Sequence, residues 1–338
     1  MGINQSAIEA AAAAASFSGI VTLDARNERT LEVCRGFAHR AHAVPNLAST
    51  QFAIASGSKA FTALAIMQLV EEGALALDQP VREILGADLP LIDPRVTIAH
   101  LLQHTSGIGD YIDEEGDWEV DEYVLAVPTH ALLTAESLLP VLSGFPQVSV
   151  PGERFAYNNG AYAVLGIVIE RLRGEPFQDV IEQRVLAPAG LADTGFLRLD
   201  ELPARAALGY LYETGSRVNT LHLPVRGAPD GGAFTTAADL HAFWRALFGG
   251  RIVSEASVRL MTAPLHEDPS EELHYGMGFY VHDTGLMAIL MGYDAGASFM
   301  TWHLPDDDTT ISVLANTSEG AWEVAGAIAK ETEAALAG

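Results

Sequence analysis

Hydrophobic positions alternate with polar ones near both ends of the chain and recur with helical spacing in its middle. At the N-terminal end, "GIVTLDA" (19–25) and "TLEVCRGFA" (30–38) read as strands, and the polar "RNER" between them suits a hairpin connection. Towards the C-terminus "YGMGFYVH" (275–282), "LMAILMG" (286–292), "SFMTWHLP" (298–305) and "TTISVLAN" (309–316) follow one another at hairpin spacing. An alanine-rich helix is predicted over 3–16 and a closing helix over about 320–336. Residues 75–190 are helix-rich, and "VTIAHLLQHTSG" and "GAYAVLGIVIERLRG" are periodic segments closed by glycine. One segment stands apart: "IASGSKAFTALAIMQLVEEG" (54–73) is apolar nearly all round, as a helix packed on several sides would be, with Gly73 at its C-cap. Yet Ser56, Ser58 and Lys59 stand at its front.

Strands at both ends with helices between them predict one antiparallel sheet built from the two termini, with a helical region inserted. The fold class is α/β (α+β), with a discontinuous sheet domain (1–55 and 190–338), a mostly helical domain (56–189) and the site between them. The chain's 338 residues suffice for well-buried cores, and no internal repeat or flexible linker interrupts it.

Charge narrows the function classes. A net charge of −25 disfavours nucleic acid and anionic membrane surfaces as partners. Of the 19 basic residues only Lys59 and Lys330 are lysines, so 17 are arginines and each lysine is conspicuous. Cys34 is the single cysteine, which rules out an intrachain disulfide and a cysteine-rich metal site. His39 and His42 could share a face, but no third ligand stands near them in sequence, and we expect neither metal nor cofactor. G-x-S-x-G, H-E-x-x-H and phosphate-cradling glycine motifs are absent. No basic region precedes the alanine run, and no apolar stretch reaches the ~18 residues of a membrane span. A soluble, cytoplasmic protein is expected; the oligomeric state is left open.

What remains is S-x-x-K at Ser56–Lys59. Side chains at i and i+3 of a helix are neighbours, so the Lys59 amine reaches the Ser56 hydroxyl. A helix N-terminus favours a developing alkoxide, and burial disfavours the charged form of the amine, making it a base or proton shuttle. The alternative is an N-capping Ser56 with a snorkelling Lys59. The second candidate is Y-x-N, Tyr157 and Asn159 in "PGERFAYNNGAYAVLG", where a loop before a helix presents a phenol and an amide. Its alternative is a core tyrosine beside a helix cap.

These motifs, with "FAIASGSKAFTALAIMQLVEEGALALDQPV" (52–81), "VTIAHLLQHTSGI" (96–108), "PGERFAYNNGAYAVLGIVIERLRGEPF" (151–177), "LAPAGLADTGF" (186–196) and "GGAFTTAADLHAFWRAL" (231–247), carry a resemblance. The chain resembles the serine β-lactamase and penicillin-binding-protein superfamily, nearest the branch of class C β-lactamases, DD-peptidases and related esterases. The resemblance implies the β-lactamase/transpeptidase-like fold, Ser56 as the acylated nucleophile, Lys59 as its activating partner and Tyr157 as the second member of the base pair. Asn159 would orient the substrate carbonyl, Ser58 would be a spacer, and backbone N–H groups of Ser56 and Ala297 would hold the oxyanion.

One departure bears on substrate. The family's third motif, K-T-G or H-x-G, aligns with "GYDAGASF" (292–299), which puts Asp294 in the cation's place and keeps Gly296. An aspartate repels a substrate carboxylate. This favours small esters, amides or peptides with a free amine over β-lactams, unless Tyr293 substitutes or the register is shifted by one. The segment "DYIDEEGDWEVDE" (110–122) holds eight acids in thirteen residues, with Asp113, Glu115, Asp117, Glu119 and Asp121 alternating; it is either a solvated loop or an acidic rim of the cleft. His104 is expected to be structural. Two functions follow: a serine hydrolase acting through an acyl-enzyme on an ester or amide, or a non-hydrolytic penicillin-binding sensor on the same scaffold.

Overall fold

The computed structural model describes residues 5–112, 120, 122, 124–282, 285 and 287–336. The two N-terminal strands, β1 (Gly19–Ala25) and β2 (Glu28–Arg35), form a hairpin turned by Arg26 and Asn27. The C-terminal third supplies β3 (His266–Asp268), β4 (Leu273–Tyr275), β5 (Tyr280–Val281), β6 (Ala288–Asp294), β7 (Ala297–Leu304) and β8 (Thr309–Ala315). They make one eight-stranded antiparallel sheet in the order β2-β1-β8-β7-β6-β5-β4-β3. β1 and β8 pair from Gly19 opposite Ala315 to Ala25 opposite Thr309, joining the two ends of the chain as the alternation predicts.

Two expected strands are shorter than their apolar runs. The run 30–38 breaks at Gly36, after which Phe37–His39 pairs separately with Val44–Pro45. The run 275–282 doubles back between β4 and β5. β3 was not foreseen, because "HED" has no apolar alternation to reveal it.

Both faces of the sheet are covered. On one, α1 (Gln5–Ala14) and α6 (Trp322–Leu336) pack Ile8, Val324 and Ile328 against Val21, Trp302 and Val313. On the other lie α2 (Lys59–Glu71) and α5 (Ala237–Phe248), whose Phe61, Leu64 and Trp244 meet Ile20, Phe299 and Leu314. A sheet buried on both sides accounts for β8 being apolar or buried at every position rather than strictly alternating. Each such side chain contributes about 1.5–3 kcal/mol on full burial.

The helical middle contributes α3 (Ile98–Leu102) and α4 (Asn159–Arg173). α3 starts with a capping box between Thr97 and His100. α2 ends in a Schellman closure, where Ala74 N–H reaches Leu69 O at 2.9 Å and Gly73 N–H reaches Val70 O at 3.0 Å. The main apolar cluster runs without a break from Ile20 and Phe243 through Leu64 to Leu101 and Ile167, so residues 1–55 and 190–338 share their core with residues 56–189. α2 lies in the middle of that core, with its N-terminus at the cleft.

Candidate active site

Ser56 sits on a tight turn rather than on the helix itself. The short strand Phe52–Ala53, paired with Phe234–Thr235, leads into a 3-10 turn over Ala55–Ser58 that runs straight into α2. Ala55 has φ +43, an uncommon conformation for a non-glycine residue that requires support from its surroundings. Ser58, fully buried, supplies part of it: its hydroxyl donates to Ala55 O at 2.8 Å and accepts Ala233 N–H at 3.0 Å. Ser58 therefore stabilises the turn, and Ser56 is the half-buried hydroxyl facing the cavities.

The Lys59 side chain is 2% exposed. Its Nζ donates to Ser56 Oγ at 2.8 Å, Asn159 Oδ1 at 2.7 Å and the Asp230 backbone carbonyl at 2.7 Å. An ammonium has three protons, and three acceptors meet them. Burying such a charge without partners would cost several kcal/mol, so this cradle is what allows a lysine in the core. The rings of Tyr157 and Tyr162 stand 5.0 and 5.8 Å from Nζ. A snorkelling surface lysine is excluded, and Ser56 makes no capping bond to α2.

Tyr157 and Asn159 come from the loop before α4 and from its first residue. Asn158, the N-cap, accepts Ala161 N–H at 2.7 Å and donates its amide to Ile108 O at 3.0 Å. His104, fully buried with φ +54, accepts Asn158 N–H on Nδ1 at 3.1 Å and lies with its ring 4.4 Å from that of Tyr157. Burial, reinforced by the Lys59 charge, holds His104 well below the usual histidine range. It is a neutral packing group behind Tyr157, in keeping with a structural role.

Three residues at the site belong to no motif, although two of them, Asp110 and Tyr111, open the acidic segment 110–122. Asp230, buried in the turn "PDGG", provides the third acceptor for Lys59. Its carboxylate takes a short hydrogen bond from the Tyr111 hydroxyl, and burial raises its pKa against the opposing pull of Lys59. Asp110 accepts the N–H groups of Asn159 at 2.5 Å, Gly160 at 2.9 Å and Tyr111 at 2.7 Å. These two belong to the acidic segment, of which residues 113–119 and 121, including Asp113, Glu115, Asp117, Glu119 and Asp121, lie outside the described residues.

The third-motif strand is β6, in a register different from the expected one. Gly292, not Gly296, meets the nucleophile turn: a Cβ on Gly292 would lie 2.4 Å from Ile54 O and 2.8 Å from Ser56 N. Gly296 is instead the second residue of the two-residue β6–β7 turn, at φ +73, where a glycine relieves the strain of a positive φ. Its N–H goes to Ser318 Oγ at 2.9 Å, and Ala297 pairs with Asp294 inside the hairpin. Counting back from Gly292, the position of the family's Lys or His is Leu290, which is buried. Asp294 still borders the cleft, with Oδ1 accepting Ala295 N–H at 2.8 Å.

Two cavities share Ser56. The narrower, about 60 Å³, is bordered by Asp294, Asp230 and Tyr111 with apolar walls such as Leu223 and Phe234. The wider, about 360 Å³, lies along Tyr157, Met291, Glu271 and Trp322. None of the described residues lining either is Lys, Arg or His. Among the described residues no group of three or more His, Cys, Asp and Glu side chains is arranged to hold a metal, and no helix is long and apolar enough to cross a membrane.

The sequence signature described as Beta-lactamase matches residues 4–336. The chain belongs to the Beta-lactamase family. Among this family's solved structures, the penicillin-binding protein from Bacillus halodurans superposes with a TM-score of 0.88 at 36% identity, covering 96% of this chain and 99% of that one. The putative penicillin-binding protein PbpX of Bacillus subtilis (strain 168) is 31% identical over 78% of this chain and 62% of its own length. The D-aminopeptidase of Brucella anthropi is 26% identical over 91% of this chain and 57% of its own length. The chain thus spans about three fifths of the length of these two relatives. The mixed helix and antiparallel-sheet architecture is the β-lactamase/transpeptidase fold, and the family is one of serine hydrolases that includes esterase and D-aminopeptidase relatives.

Proposed function

We propose that this chain is a serine hydrolase that works through an acyl-enzyme on Ser56, acting on small esters or amides and preferring those with a free amine. The observation that carries the reading is Lys59 Nζ, buried and 2.8 Å from Ser56 Oγ, with Tyr157 alongside. With its protons directed at Ser56, Asn159 and Asp230, Lys59 favours negative charge on Oγ, and Tyr157 takes the serine proton as attack begins. The oxyanion is held by the N–H of Ser56 and that of Tyr293. Tyr293 and Ser298 are the pair next to the closing pair of a two-residue hairpin, so the Tyr293 N–H points away from β7, and Tyr293 lines both cavities that share Ser56. Asn159, anchored through Oδ1, turns its amide NH2 to the substrate carbonyl side. Collapse of the tetrahedral intermediate passes the proton to the leaving alcohol or amine. Water then hydrolyses the ester on Ser56.

Charge supports the substrate class. The described residues lining the cleft include Asp294, Asp230 and Glu271 and no Lys, Arg or His, with Leu290 taken as the family's cation position, and such a lining repels carboxylates and attracts ammonium groups. The 60 Å³ recess beside Asp294 has room for a group of only a few heavy atoms, roughly four waters' worth. The D-aminopeptidase relative fits this reading.

The test is fluorophosphonate labelling with mass spectrometry on one sample and, on unlabelled wild type and Asp294→Lys, a panel of p-nitrophenyl esters, amino-acid p-nitroanilides, nitrocefin and D-Ala-D-Ala peptides. Expected are a Ser56 adduct, turnover of neutral and amine-bearing substrates, and a shift towards carboxylate-bearing ones in the variant. No adduct and no ester turnover would sink the hydrolase. A wild-type preference for carboxylates would sink the electrostatic argument. A stoichiometric acyl adduct from the substrate panel, a burst that never clears into turnover, would favour the sensor.

A further inference from the structure

Lys59 is held by two groups that themselves need holding, and one loop reaches both. Asn159 presents Oδ1 to Nζ from the first residue of α4, while Asp230 presents its carbonyl from the opposite wall. Asp110 grips the α4 side through the N–H groups of Asn159 and Gly160. The next residue, Tyr111, grips the other side through its hydroxyl on the Asp230 carboxylate. Its own N–H returns to Asp110 at 2.7 Å, so the two grips share a joint.

We propose that Asp110 and Tyr111 are positioning residues of the Ser56 site, a brace that fixes the Asn159 and Asp230 acceptors and thereby the place of Lys59. The proposal rests on the hydrolase reading and names residues to which that reading gives no role. The brace works as a carboxylate: both oxygens accept, and a proton on either turns an acceptor towards N–H donors. Burial, with the Asp230 charge adding to it against the three N–H bonds, raises Asp110 to about 6. The groups facing it are the N–H donors of Asn159 and Gly160 on α4, the Tyr111 N–H of its own loop and the Asp230 carboxyl across the cleft. Below that pH the brace slackens, and a displacement approaching 1 Å costs on the order of a hundred-fold in rate.

The test uses the full chain: the rate of Ser56 labelling by a fluorophosphonate, and kcat and KM for a p-nitrophenyl ester, from pH 5 to 8, on wild type, Asp110→Asn and Tyr111→Phe. In wild type kcat should fall through a limb near pH 6 while KM changes less than two-fold. Asp110→Asn should lose about ten-fold or more in kcat at pH 7.5, again without KM, and should lack that limb. Tyr111→Phe should lose kcat several-fold and keep the limb. If Asp110→Asn does not fold, wild type and Tyr111→Phe still decide: no limb near 6 with full-rate Tyr111→Phe overturns the brace. So does an Asp110→Asn enzyme with wild-type kcat and profile, or a loss carried by KM alone. A wild type that takes no label at Ser56 overturns the hydrolase reading and the brace with it, whereas a labelled wild type with unaffected variants overturns the brace alone.

Discussion

Gly292→Ala isolates the contact that sets the nucleophile. A Cβ there would stand 2.4 Å from Ile54 O and 2.8 Å from Ser56 N, whereas ordinary contact begins near 3.4 Å. Both neighbours are backbone atoms, so no rotamer change relieves the overlap. Either the Ala55–Ser58 turn recedes from β6 by up to roughly 1 Å or β6 bends outwards by as much. Each outcome separates Ser56 from the proposed Tyr293 donor and shifts Oγ relative to Nζ. A misplacement of that size costs on the order of a hundred-fold in kcat. The overpacking itself should cost about 1–3 kcal/mol of stability, which leaves a domain with the usual 5–15 kcal/mol largely folded at 25 °C. The assay is kcat and Ser56 labelling at 25 °C, with Tm measured on the same samples. Gly190→Ala is the control: at φ +78 and ψ +26, with nothing within 4 Å of its Cβ, it should cost about 1–2 kcal/mol and leave kcat unchanged. Wild-type kcat in Gly292→Ala would refute the assignment of β6 as the strand that shapes the nucleophile and its oxyanion site.

Three further outcomes follow from Lys59, Tyr157 and His303. Lys59→Ala should lower the acylation rate by roughly 10²–10⁴-fold, the range of a lost proton-transfer partner. It should also lower Tm, because Asn159 Oδ1 and Asp230 O lose their donor at about 1–3 kcal/mol each; Tyr157→Phe should slow acylation with little change in Tm. His303, packed 5.8 Å from Trp244 and bonded to Thr310 Oγ1 at 2.9 Å, is pushed down to about 3, chiefly by burial and then by the charges of His241 and Arg245. Its folded pKa lies below its unfolded value, so the unfolded chain binds the extra proton and stability falls as pH drops below 6.5. Between pH 6.5 and 4 the loss attributable to this group is about 3 kcal/mol, and urea unfolding of wild type against His303→Asn should show the slope diminished in the variant.

What the sequence disclosed and what it hid separate by the range of the interaction. Ser56 and Lys59 are three residues apart on one turn, so local geometry alone brings them to 2.8 Å. The hairpin and the buried helix were legible for the same reason. Asp230 and Tyr111 were not: the Asp230–Lys59 and Tyr111–Asp230 contacts span 171 and 119 positions, and no local pattern marks an aspartate as the residue whose carbonyl will be needed. The two β4–β5 strands escaped because one apolar run can hold a reversal as well as a strand.

The register of β6 was misread for a more instructive reason. "MGYDAGAS" holds two glycines four residues apart, one needed for close approach and one for a positive φ, and composition does not say which is which. The expected strand runs over 286–292, with the third motif aligned on 292–299. In the fold Tyr293 and Asp294 continue the pairing, opposite Ser298 and Ala297, and the turn shrinks to Ala295 and Gly296 with Asp294 Oδ1 bonding the Ala295 N–H. A shift of four is even, and a strand's side chains repeat every two residues. Leu290, Gly292 and Asp294 therefore share a face, the one turned to Ser56, while Met291 and Tyr293 share the other. Asp294 borders the narrower Ser56 cavity, and its neighbour Tyr293 borders both, so the carboxylate reaches the cleft although it does not stand in the cation's place. With Gly292 taken as the motif's glycine, the proposal of an amine-bearing substrate no longer depends on one residue replacing another: the family's cation position would fall on buried Leu290, and the carboxylate stands two residues beyond the close-approach glycine.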